Sequence, residues 1–359
     1  MSDARGALII AEAGVNHNGS VDRALELVDA AQDCGADIVK FQTFSAEALA
    51  AAAAPKAEYQ AANTGAAGAQ LEMLRALELD EAAHRRLVER CAERGIEFLS
   101  TAFDARSLDL VLSLGVRRLK MPSGEITNGP LLLKAARSGL PILLSTGMAD
   151  LKEIESALGV LAFGYSAPRE AVPSPLAFRA ALLGDEGQRL LTERVTVLHC
   201  TTQYPAPLED VNLRAMDTIT RRFNLKVGYS DHTLGIAVAI AAVARGAVAI
   251  EKHLTLDRSL PGPDHKASLE PPEFKAMVAA IRGVEAALGT PDKRATDSER
   301  PNIPVARKSL VAARPIAQGE TFTAENLTML RPGGGRSPME YWSLLGQPAP
   351  RDYKKHEPV

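Results

Sequence analysis

Two lysines lie inside short apolar runs of the sequence, Lys40 in IVKFQT and Lys120 in RLKMPSGE. Burying an unpaired ammonium group is costly, so each lysine needs an anionic partner. One interpretation is an ion pair with a carboxylate of the chain, such as Glu12 or Glu125. A second, which we favour, is a cradle for the phosphate and carboxylate of a ligand. A third is that one lysine forms a Schiff base, as in a class I aldolase.

Hydroxyl side chains at the ends of the neighbouring runs favour the cradle. Strand ends are generally wetter than strand middles, which accounts for some of these serines and threonines but not for two lysines and two histidines. The hydroxyl residues that we expect to join the lysines are Thr101, Ser123, Ser145 and Ser230.

Two histidines, His232 and His253, end two successive apolar runs. On adjacent strands both imidazoles would reach one point, and with open positions for water and substrate they would suit a divalent transition metal acting as a Lewis acid. The alternative is that each histidine hydrogen-bonds a neighbouring carboxylate, Asp231 or Glu251. The pairing on adjacent strands favours the metal. Of the others, we interpret His199 as a packed core residue and His84 and His356 as surface residues, and leave His17 open.

The elements that must position these residues are short apolar runs alternating with amphipathic stretches, from residue 7 to about 290. Nearly continuous apolar runs are typical of parallel strands buried on both faces. Eight such alternations predict a (β/α)₈ barrel, with a doubly wound open sheet as the alternative. No glycine-rich dinucleotide fingerprint follows the first run, which disfavours that alternative. The predicted strands are 7–14, 37–44, 97–103, 117–125, 141–148, 195–204, 226–232 and 247–254.

Helix starts between these strands are predicted from capping residues. Ser20 begins a helix that Gly35 ends, and Asp80 begins one that runs to Gly95. Further starts are predicted at Asp104, Asn128, Asp150 and Asn212. Barrel enzymes place their active sites at the carboxyl ends of the strands, so we expect the lysines, histidines and hydroxyls to meet there.

The pattern changes after the last strand, which predicts two domains. We assign residues 1–288 to the barrel, 289–304 to a polar, proline-bearing linker, and 305–359 to a compact, mostly β domain. A domain of about 50 residues is near the lower limit for independent folding, so it is expected to dock on another surface. Residues 164–194 are predicted to be a long insertion with one short helix.

Composition excludes several classes of protein. The 359 residues are 46% hydrophobic with a net charge of −3, which predicts neither a nucleic-acid nor a membrane partner. The three cysteines form no CxxC pair, which argues against disulfides and a structural zinc site and fits a cytoplasmic protein. The apolar stretch near the start is broken by Glu12, so we expect no signal peptide or membrane span.

Nine short motifs carry a resemblance to a known family. AEAGVNHNGS, VKFQT, STAFD, KMPSGE, LSTGM, CTTQYPAP, GYSDHT, EKHLTLD and PGPDHKASL occur in this order. Together they closely resemble the bacterial sialic acid synthase family. The tail ARKSLVAARPIAQGETFTAENLTMLRPGGGRSP is similar to the antifreeze-like (SAF) domain of that family. The likeness covers nearly the whole chain.

The resemblance implies a barrel joined to a small β-rich domain, in a homodimer whose tail domain covers the partner's barrel mouth. It implies manganese (Mn²⁺), or another divalent ion such as Mg²⁺ or Co²⁺, on His232 and His253, with the Glu12 carboxylate close by. The positions matching the phosphoenolpyruvate site are Lys40, Thr101, Lys120, Ser123, Ser145, Thr202, Tyr204 and Ser230. Those matching the amino-sugar site are Gln42, Glu125, Tyr204, Asp264 and, from the partner's tail, Arg331.

The implied reaction joins phosphoenolpyruvate to an N-acetylated amino-sugar aldehyde and releases phosphate. Glu12, Glu125, Lys40 and Lys120 are the expected catalytic residues, with Glu125 steering water or stabilising positive charge. Thr202 stands where synthases of N-acetylneuraminate often have asparagine. This segment and QLEMLRALEL resemble synthases of legionaminic acid, whose sugar is a 2,4-diacetamido-6-deoxy mannose. N-acetylmannosamine is the alternative sugar. A Schiff-base aldolase and a non-enzymatic ice- or sugar-binding protein are more distant alternatives.

Overall fold

The computed structural model describes residues 6–51, 54–64 and 69–359. The chain forms two compact units, Met1–Gly289 and Thr290–Val359. The segment 289–304, predicted as a linker, therefore falls in the second unit from Thr290 onward. No described helix is long and apolar enough to cross a membrane.

The first unit is built on eight parallel strands that close into a barrel, each pairing with the next and the last with the first. This confirms the predicted (β/α)₈ barrel, and the doubly wound open sheet is wrong because β8 pairs with β1. The strands are β1 (Leu8–Gly14), β2 (Ile38–Thr43), β3 (Glu97–Ala102), β4 (Leu119–Met121), β5 (Ile142–Ser145), β6 (Val195–Cys200), β7 (Lys226–Asp231) and β8 (Ala249–His253).

Three predicted strands are too long at their carboxyl ends. β4 ends at Met121 because Pro122 has no N–H for the ladder, and Ser123–Glu125 forms a 3₁₀ turn instead. β5 ends at Ser145, shortly before Met148, whose φ of 66° is left-handed. β6 ends at Cys200. Several candidate site residues therefore lie in loops just beyond the strands.

The side chains inside the barrel form an apolar layer and, above it, a mostly polar layer. Residues two apart on a strand face the same side, so each strand contributes every second residue to the interior. One buried apolar layer consists of Ile10, Ile38, Leu99, Leu143, Leu198 and Ala249. Two residues further along the same strands stand Glu12, Lys40, Thr101, Ser145, Cys200 and Glu251, all buried. The apolar layer is thus a floor beneath a mostly polar layer at the carboxyl end.

Helices surround the barrel and connect its strands. They are α1 (Val21–Asp33), α2 (Ala46–Leu49), α3 (Glu58–Thr64), α4 (Gln70–Arg75), α5 (Glu81–Arg94), α6 (Ala105–Ser113), α7 (Gly129–Arg137), α8 (Leu151–Ser166), α9 (Pro175–Leu183), α10 (Asp185–Arg194), α11 (Ala215–Phe223), α12 (Ala237–Ala244) and α13 (Pro271–Leu288). The insertion 164–194 holds the end of α8 and two further helices, so the prediction of one short helix there is wrong.

Most of the predicted helix starts are confirmed. The side chains of Ser20, Asp80, Asp104, Asn128 and Asp150 each accept a backbone N–H in the first turn of their helix. Asn212 is wrong as a cap. Its φ of 47° is left-handed, whereas a capping residue is normally extended, and α11 begins at Ala215 after Arg214.

The second unit has its own small core. β9 (Ser309–Ala312) pairs antiparallel with β10 (Leu327–Leu330), and isolated bridges extend the β structure. Two short helices, α14 (Ile303–Ala306) and α15 (Tyr341–Leu344), complete it. The core comprises Leu310, Ala312, Ile316, Phe322, Leu327, Leu344, Ala349 and Tyr353.

Candidate active site at the carboxyl end of the barrel

A cavity of about 230 Å³ opens above the polar layer. Larger grooves exist elsewhere, and one of them shares Cys200 and Thr202 with this cavity. This cavity, however, gathers ionisable side chains from most of the strands, which marks it as the candidate site. Its lining includes the predicted residues Glu12, Lys40, Gln42, Thr101, Lys120, Ser123, Ser145, Thr202, Tyr204, Ser230, His232 and His253.

A carboxylate that the sequence analysis did not assign to the site, Glu251, lies at the centre of the cavity's charges. Its Oε1 is 3.2 Å from Lys120 Nζ and accepts a hydrogen bond of 2.8 Å from Ser230 Oγ. Its Oε2 is 3.6 Å from Lys40 Nζ. Lys40 also pairs with Glu12. The sequence contained the information needed to assign Glu251 to the site. Glu251 precedes His253 by two residues, so both side chains face the same side of β8.

These contacts shift the ionisation of the buried groups. Burial alone would raise the pKa of Glu251, but Lys120 and Lys40 hold it at about 2. Burial lowers the pKa of Lys40 to about 7, against the opposing attraction of Glu251. Both lysines are therefore ion-paired in the free protein, as the first interpretation predicts. This pairing does not test the second interpretation, a cradle for a bound anion, which stays a prediction.

The two histidines predicted as metal ligands lie together, with ring centroids 5.5 Å apart. The Tyr204 ring is 4.1 Å from that of His232. His232 Nδ1 is 2.7 Å from the carbonyl oxygen of Thr201, to which it donates, leaving Nε2 with its lone pair. Burial lowers the pKa of His232 to about 4. Burial, and then the nearness of His232, lowers the pKa of His253 as well.

The residues present fit a divalent cation in part. Both imidazoles are neutral at physiological pH, the form that binds metals, and His253 Nδ1 is buried with no hydrogen-bond partner in the described residues. Within the described ranges no three His, Cys, Asp or Glu side chains are grouped to hold a metal. Any cation here would have the two histidines as protein ligands and would complete its coordination with water and substrate.

The hydroxyl groups of the cradle fall into two sets. In the first set, Thr101 Oγ1 accepts a hydrogen bond of 2.9 Å from Lys40 Nζ, and Ser123 Oγ accepts one of 2.9 Å from the Gly147 N–H. Ser145 Oγ and Thr202 Oγ1 are buried without a hydrogen-bond partner among the described side chains and backbone. Because a buried unpaired hydroxyl is costly, these two groups are positioned to receive a ligand.

Three predicted sugar contacts do not line the cavity. Glu125 lies in the 3₁₀ turn after β4, where its carboxylate accepts a bond of 2.6 Å from Asn128. Asp264 is buried near Lys40, and burial raises its pKa to about 6. Arg331 is an exposed residue of the second unit. The roles of all three remain predictions.

The other histidines assigned from the sequence do not line the central cavity. His84 is fully buried, so its assignment to the surface is wrong; its Nε2 lies 2.8 Å from the Thr43 hydroxyl. His17 is fully buried, and His199 is partly buried, 2.8 Å from the Val211 carbonyl. His356 is exposed, as predicted.

Buried neutral histidines predict that metal-free protein loses stability in mild acid. Burial lowers the pKa of His17 from 6.5 to about 4. It does the same for His265, a fully buried histidine in the loop after β8. Between about pH 6.5 and 4 these histidines are protonated in the unfolded chain but stay neutral in the folded protein. The free energy of unfolding therefore falls as the pH is lowered through this range. His17 contributes up to about 3 kcal/mol of this loss. Asp264, with its raised pKa, partly offsets it between about pH 4 and 6.

Urea unfolding at a series of pH values between 7.5 and 4 measures the slope of the unfolding free energy against pH. His17→Gln should flatten it, whereas the exposed-site control His356→Gln should leave it unchanged. Equal slopes for the wild type and His17→Gln would contradict the assignment.

A closed (β/α)₈ barrel with ionisable groups and anion-binding hydroxyls in its carboxyl-end cavity defines an enzyme of the barrel class. The family profile of the NeuB family matches residues 27–293, and that of the SAF domain matches residues 307–359. The chain belongs to the NeuB family.

Relatives extend along nearly the whole chain. The N,N'-diacetyllegionaminic acid synthase of Campylobacter jejuni is 48% identical, over 98% of this chain and 98% of its own. The enzyme of that name from Legionella pneumophila is 47% identical, over 94% of this chain and 89% of its own. A solved N-acetylneuraminic acid (sialic acid) synthetase from Leptospira borgpetersenii is 33% identical with a TM-score of 0.67, over 83% of this chain and 90% of that one.

Proposed function

We propose that this chain is a nonulosonic acid synthase that condenses phosphoenolpyruvate with an N-acetylated amino-sugar aldehyde and water, releasing phosphate. The observation that carries the proposal is the cavity itself. It places two lysines and unpartnered hydroxyls beside two neutral histidines in a NeuB-family barrel. The cysteines Cys34, Cys91 and Cys200 are unbridged, which is consistent with a cytoplasmic enzyme.

Phosphoenolpyruvate is the ligand of the cradle in this proposal. Lys40 and Lys120 donate hydrogen bonds to its phosphate and carboxylate. The hydroxyls of Thr101, Ser123, Ser145, Thr202 and Ser230 complete the binding, with Tyr204 beside them. Such charge-assisted contacts orient the substrate as well as hold it.

A divalent cation would be held by His232 and His253 and would supply Lewis-acid polarisation of the sugar aldehyde. The charges of the cavity support this assignment. Two ammonium groups, Lys40 and Lys120, are balanced by two carboxylates, Glu12 and Glu251. A polyanionic substrate therefore needs further positive charge, and the neutral imidazoles do not provide it.

The chain's own residues then assist carbon–carbon bond formation. C3 of phosphoenolpyruvate attacks the aldehyde carbon, and positive charge develops at C2. A carboxylate stabilises that charge or steers the incoming water. This role is proposed for Glu12, which lines the cavity, and for Glu125, which would have to turn toward it from the 3₁₀ turn after β4. Water adds to C2, and one of its protons passes to the alkoxide formed from the aldehyde. The resulting tetrahedral intermediate loses phosphate by C–O cleavage, its hydroxyl proton goes to the departing phosphate, and C2 becomes a ketone. Lys40 and Lys120 donate hydrogen bonds to the leaving group.

The sugar is proposed to be a 2,4-diacetamido-6-deoxy mannose. Support comes from the CTTQYP segment around Thr202 and from the two relatives named N,N'-diacetyllegionaminic acid synthase. We expect kcat/KM for this sugar to exceed that for N-acetylmannosamine by at least about tenfold, since even one added group in a matched pocket is worth about 1–3 kcal/mol. Mass spectrometry of the products, with Mn²⁺ present, identifies the acid formed. A preference for N-acetylmannosamine would make this an N-acetylneuraminate synthase.

A Schiff-base aldolase is a second candidate on one observation, the lowered pKa of Lys40, because a neutral amine is the nucleophile in that chemistry. Borohydride in the presence of pyruvate would trap such an enzyme covalently. Under the synthase proposal no adduct forms.

We further propose a homodimer in which the SAF domain of one subunit covers the barrel mouth of its partner, with Arg331 reaching the sugar. Arg331→Ala should lower kcat/KM for the sugar by about 10- to 100-fold, the usual loss for a charged contact, with the dimer intact. Arg336→Ala, an exposed arginine in the same segment, serves as the control.

Mixing two variants that are each strongly impaired tests the arrangement between subunits. An Arg331→Ala subunit combined with a His232→Ala subunit forms a heterodimer with one site that lacks both groups and one intact site. Activity should therefore reappear on mixing. If each barrel is completed by its own tail, each site keeps one defect and mixing restores nothing, provided that subunit exchange is confirmed by mass spectrometry.

A further inference from the structure

A fully buried ion pair lies directly beside the two histidines on the barrel wall. Asp231 ends β7 and Lys252 stands opposite it in β8, with Lys252 Nζ 2.9 Å from Asp231 Oδ2. Both side chains are 0% exposed. Ser230 and Glu251 face the cavity, so Asp231 and Lys252, one residue further along each strand, face outward. The ion pair is therefore outside the substrate cavity.

The contacts of this ion pair hold the segment that carries His232 from both sides. Asp231 Oδ1 accepts hydrogen bonds from the Thr233 backbone N–H at 2.9 Å and from the Thr233 hydroxyl at 2.7 Å. Lys252 Nζ also donates to the Thr233 carbonyl oxygen. A lysine of β8 thus fixes the residues immediately before and after His232, and the next residue of that strand is His253.

Apolar residues would normally fill this position. The outer faces of barrel strands pack against helices, and replacing a buried ion pair with apolar residues of similar size is often neutral or stabilising. A contribution to folding stability therefore does not explain well why an ion pair stands at this position. Its hydrogen bonds fix the backbone on either side of His232 relative to β8, and apolar packing would not do so.

We propose that Asp231 and Lys252 are positioning residues that hold the imidazoles of His232 and His253 at the separation needed to bind one divalent cation together. This inference rests on the proposed function through the assignment of the two histidines as ligands. Residues that orient metal ligands commonly change metal affinity by about 10- to 100-fold when removed.

The test compares Mn²⁺ affinity and thermal unfolding in the full-length protein. The double variant Asp231→Leu/Lys252→Met removes the pair without leaving an unpaired buried charge. We expect it to melt cooperatively but to bind Mn²⁺ about 10- to 100-fold more weakly by isothermal titration calorimetry. The matched control, Glu97→Leu/Arg118→Met, removes the ion pair between the starts of β3 and β4 and should keep wild-type Mn²⁺ affinity.

Each outcome decides the inference. A folded double variant with wild-type Mn²⁺ affinity would show that the pair is structural, while the proposed function would stand. Wild-type protein that binds no Mn²⁺ would overturn both the metal assignment and the positioning role. If the double variant does not fold, Thr233→Val decides instead, because it removes one bond to Asp231. It should weaken Mn²⁺ binding several-fold, and wild-type affinity would refute the proposal.

Discussion

Removal of divalent metal with EDTA is expected to abolish product formation, and added Mn²⁺ is expected to restore it. Polarisation of a carbonyl by a bound cation is worth several kcal/mol in the transition state, so the rate should fall by at least about a hundredfold. His232→Ala and His253→Ala should reproduce the loss. In each variant the calorimetric signal for Mn²⁺ should vanish while the circular dichroism spectrum of the barrel stays unchanged.

The control for these variants is His199→Asn. His199 lies on β6, one residue before Cys200, but it bonds the Val211 carbonyl and does not line the central cavity. It should keep wild-type Mn²⁺ affinity. Full activity in chelated enzyme, with residual metal excluded by elemental analysis, would make the metal assignment wrong.

Lys120→Met is expected to lower kcat/KM for phosphoenolpyruvate by about 10- to 150-fold, while the KM for the sugar changes little. Loss of one charge-assisted contact costs about 1.5–3 kcal/mol, and each 1.36 kcal/mol is a factor of ten. Lys120 lies 3.2 Å from Glu251, so its removal also leaves this buried carboxylate with one cation fewer. Lys40 and Ser230 still contact Glu251, which should preserve the fold.

Steady-state kinetics with each substrate varied in turn separate the two effects. The matched control is Lys134→Met, which removes a half-exposed lysine paired with Asp109 on the barrel's outer surface. It should behave as wild type. The double variant Lys120→Met/Glu251→Gln tests the coupling, since removing the charge of a carboxylate that has lost one of its two lysine contacts should recover some of the lost stability. Unchanged kinetics for phosphoenolpyruvate in Lys120→Met would remove this lysine from the site.

The barrel was predictable because its pattern is local and repeated. Apolar runs such as IVKFQT, and capping residues such as Ser20 and Asp80, each specify one element through neighbouring residues. The errors occur where a boundary depends on backbone conformation. Pro122 ends β4 early, and Asn212 adopts a left-handed φ instead of capping α11.

The sequence predicted most of the residues that share the cavity, but not which of them contact one another. Because the carboxyl ends of parallel strands meet at one end of a barrel, polar residues at those ends must share a cavity. Spacing along the chain therefore sufficed to group Lys40, Lys120, His232 and His253. The burial of His84 was not predictable in this way, since it depends on how α5 packs on β2 and β3.

The sequence by itself determined the fold class, the end of the barrel that carries the chemistry, and the residue types available there. The tertiary structure decided which of those residues are paired. It placed Glu251 between two lysines and set Asp231 against Lys252 on the outer side of the wall. The physical reason is that a residue's type and strand parity are local properties. The distance between charges on different strands depends on the register of the closed barrel, and that distance sets their pairing and their pKa values.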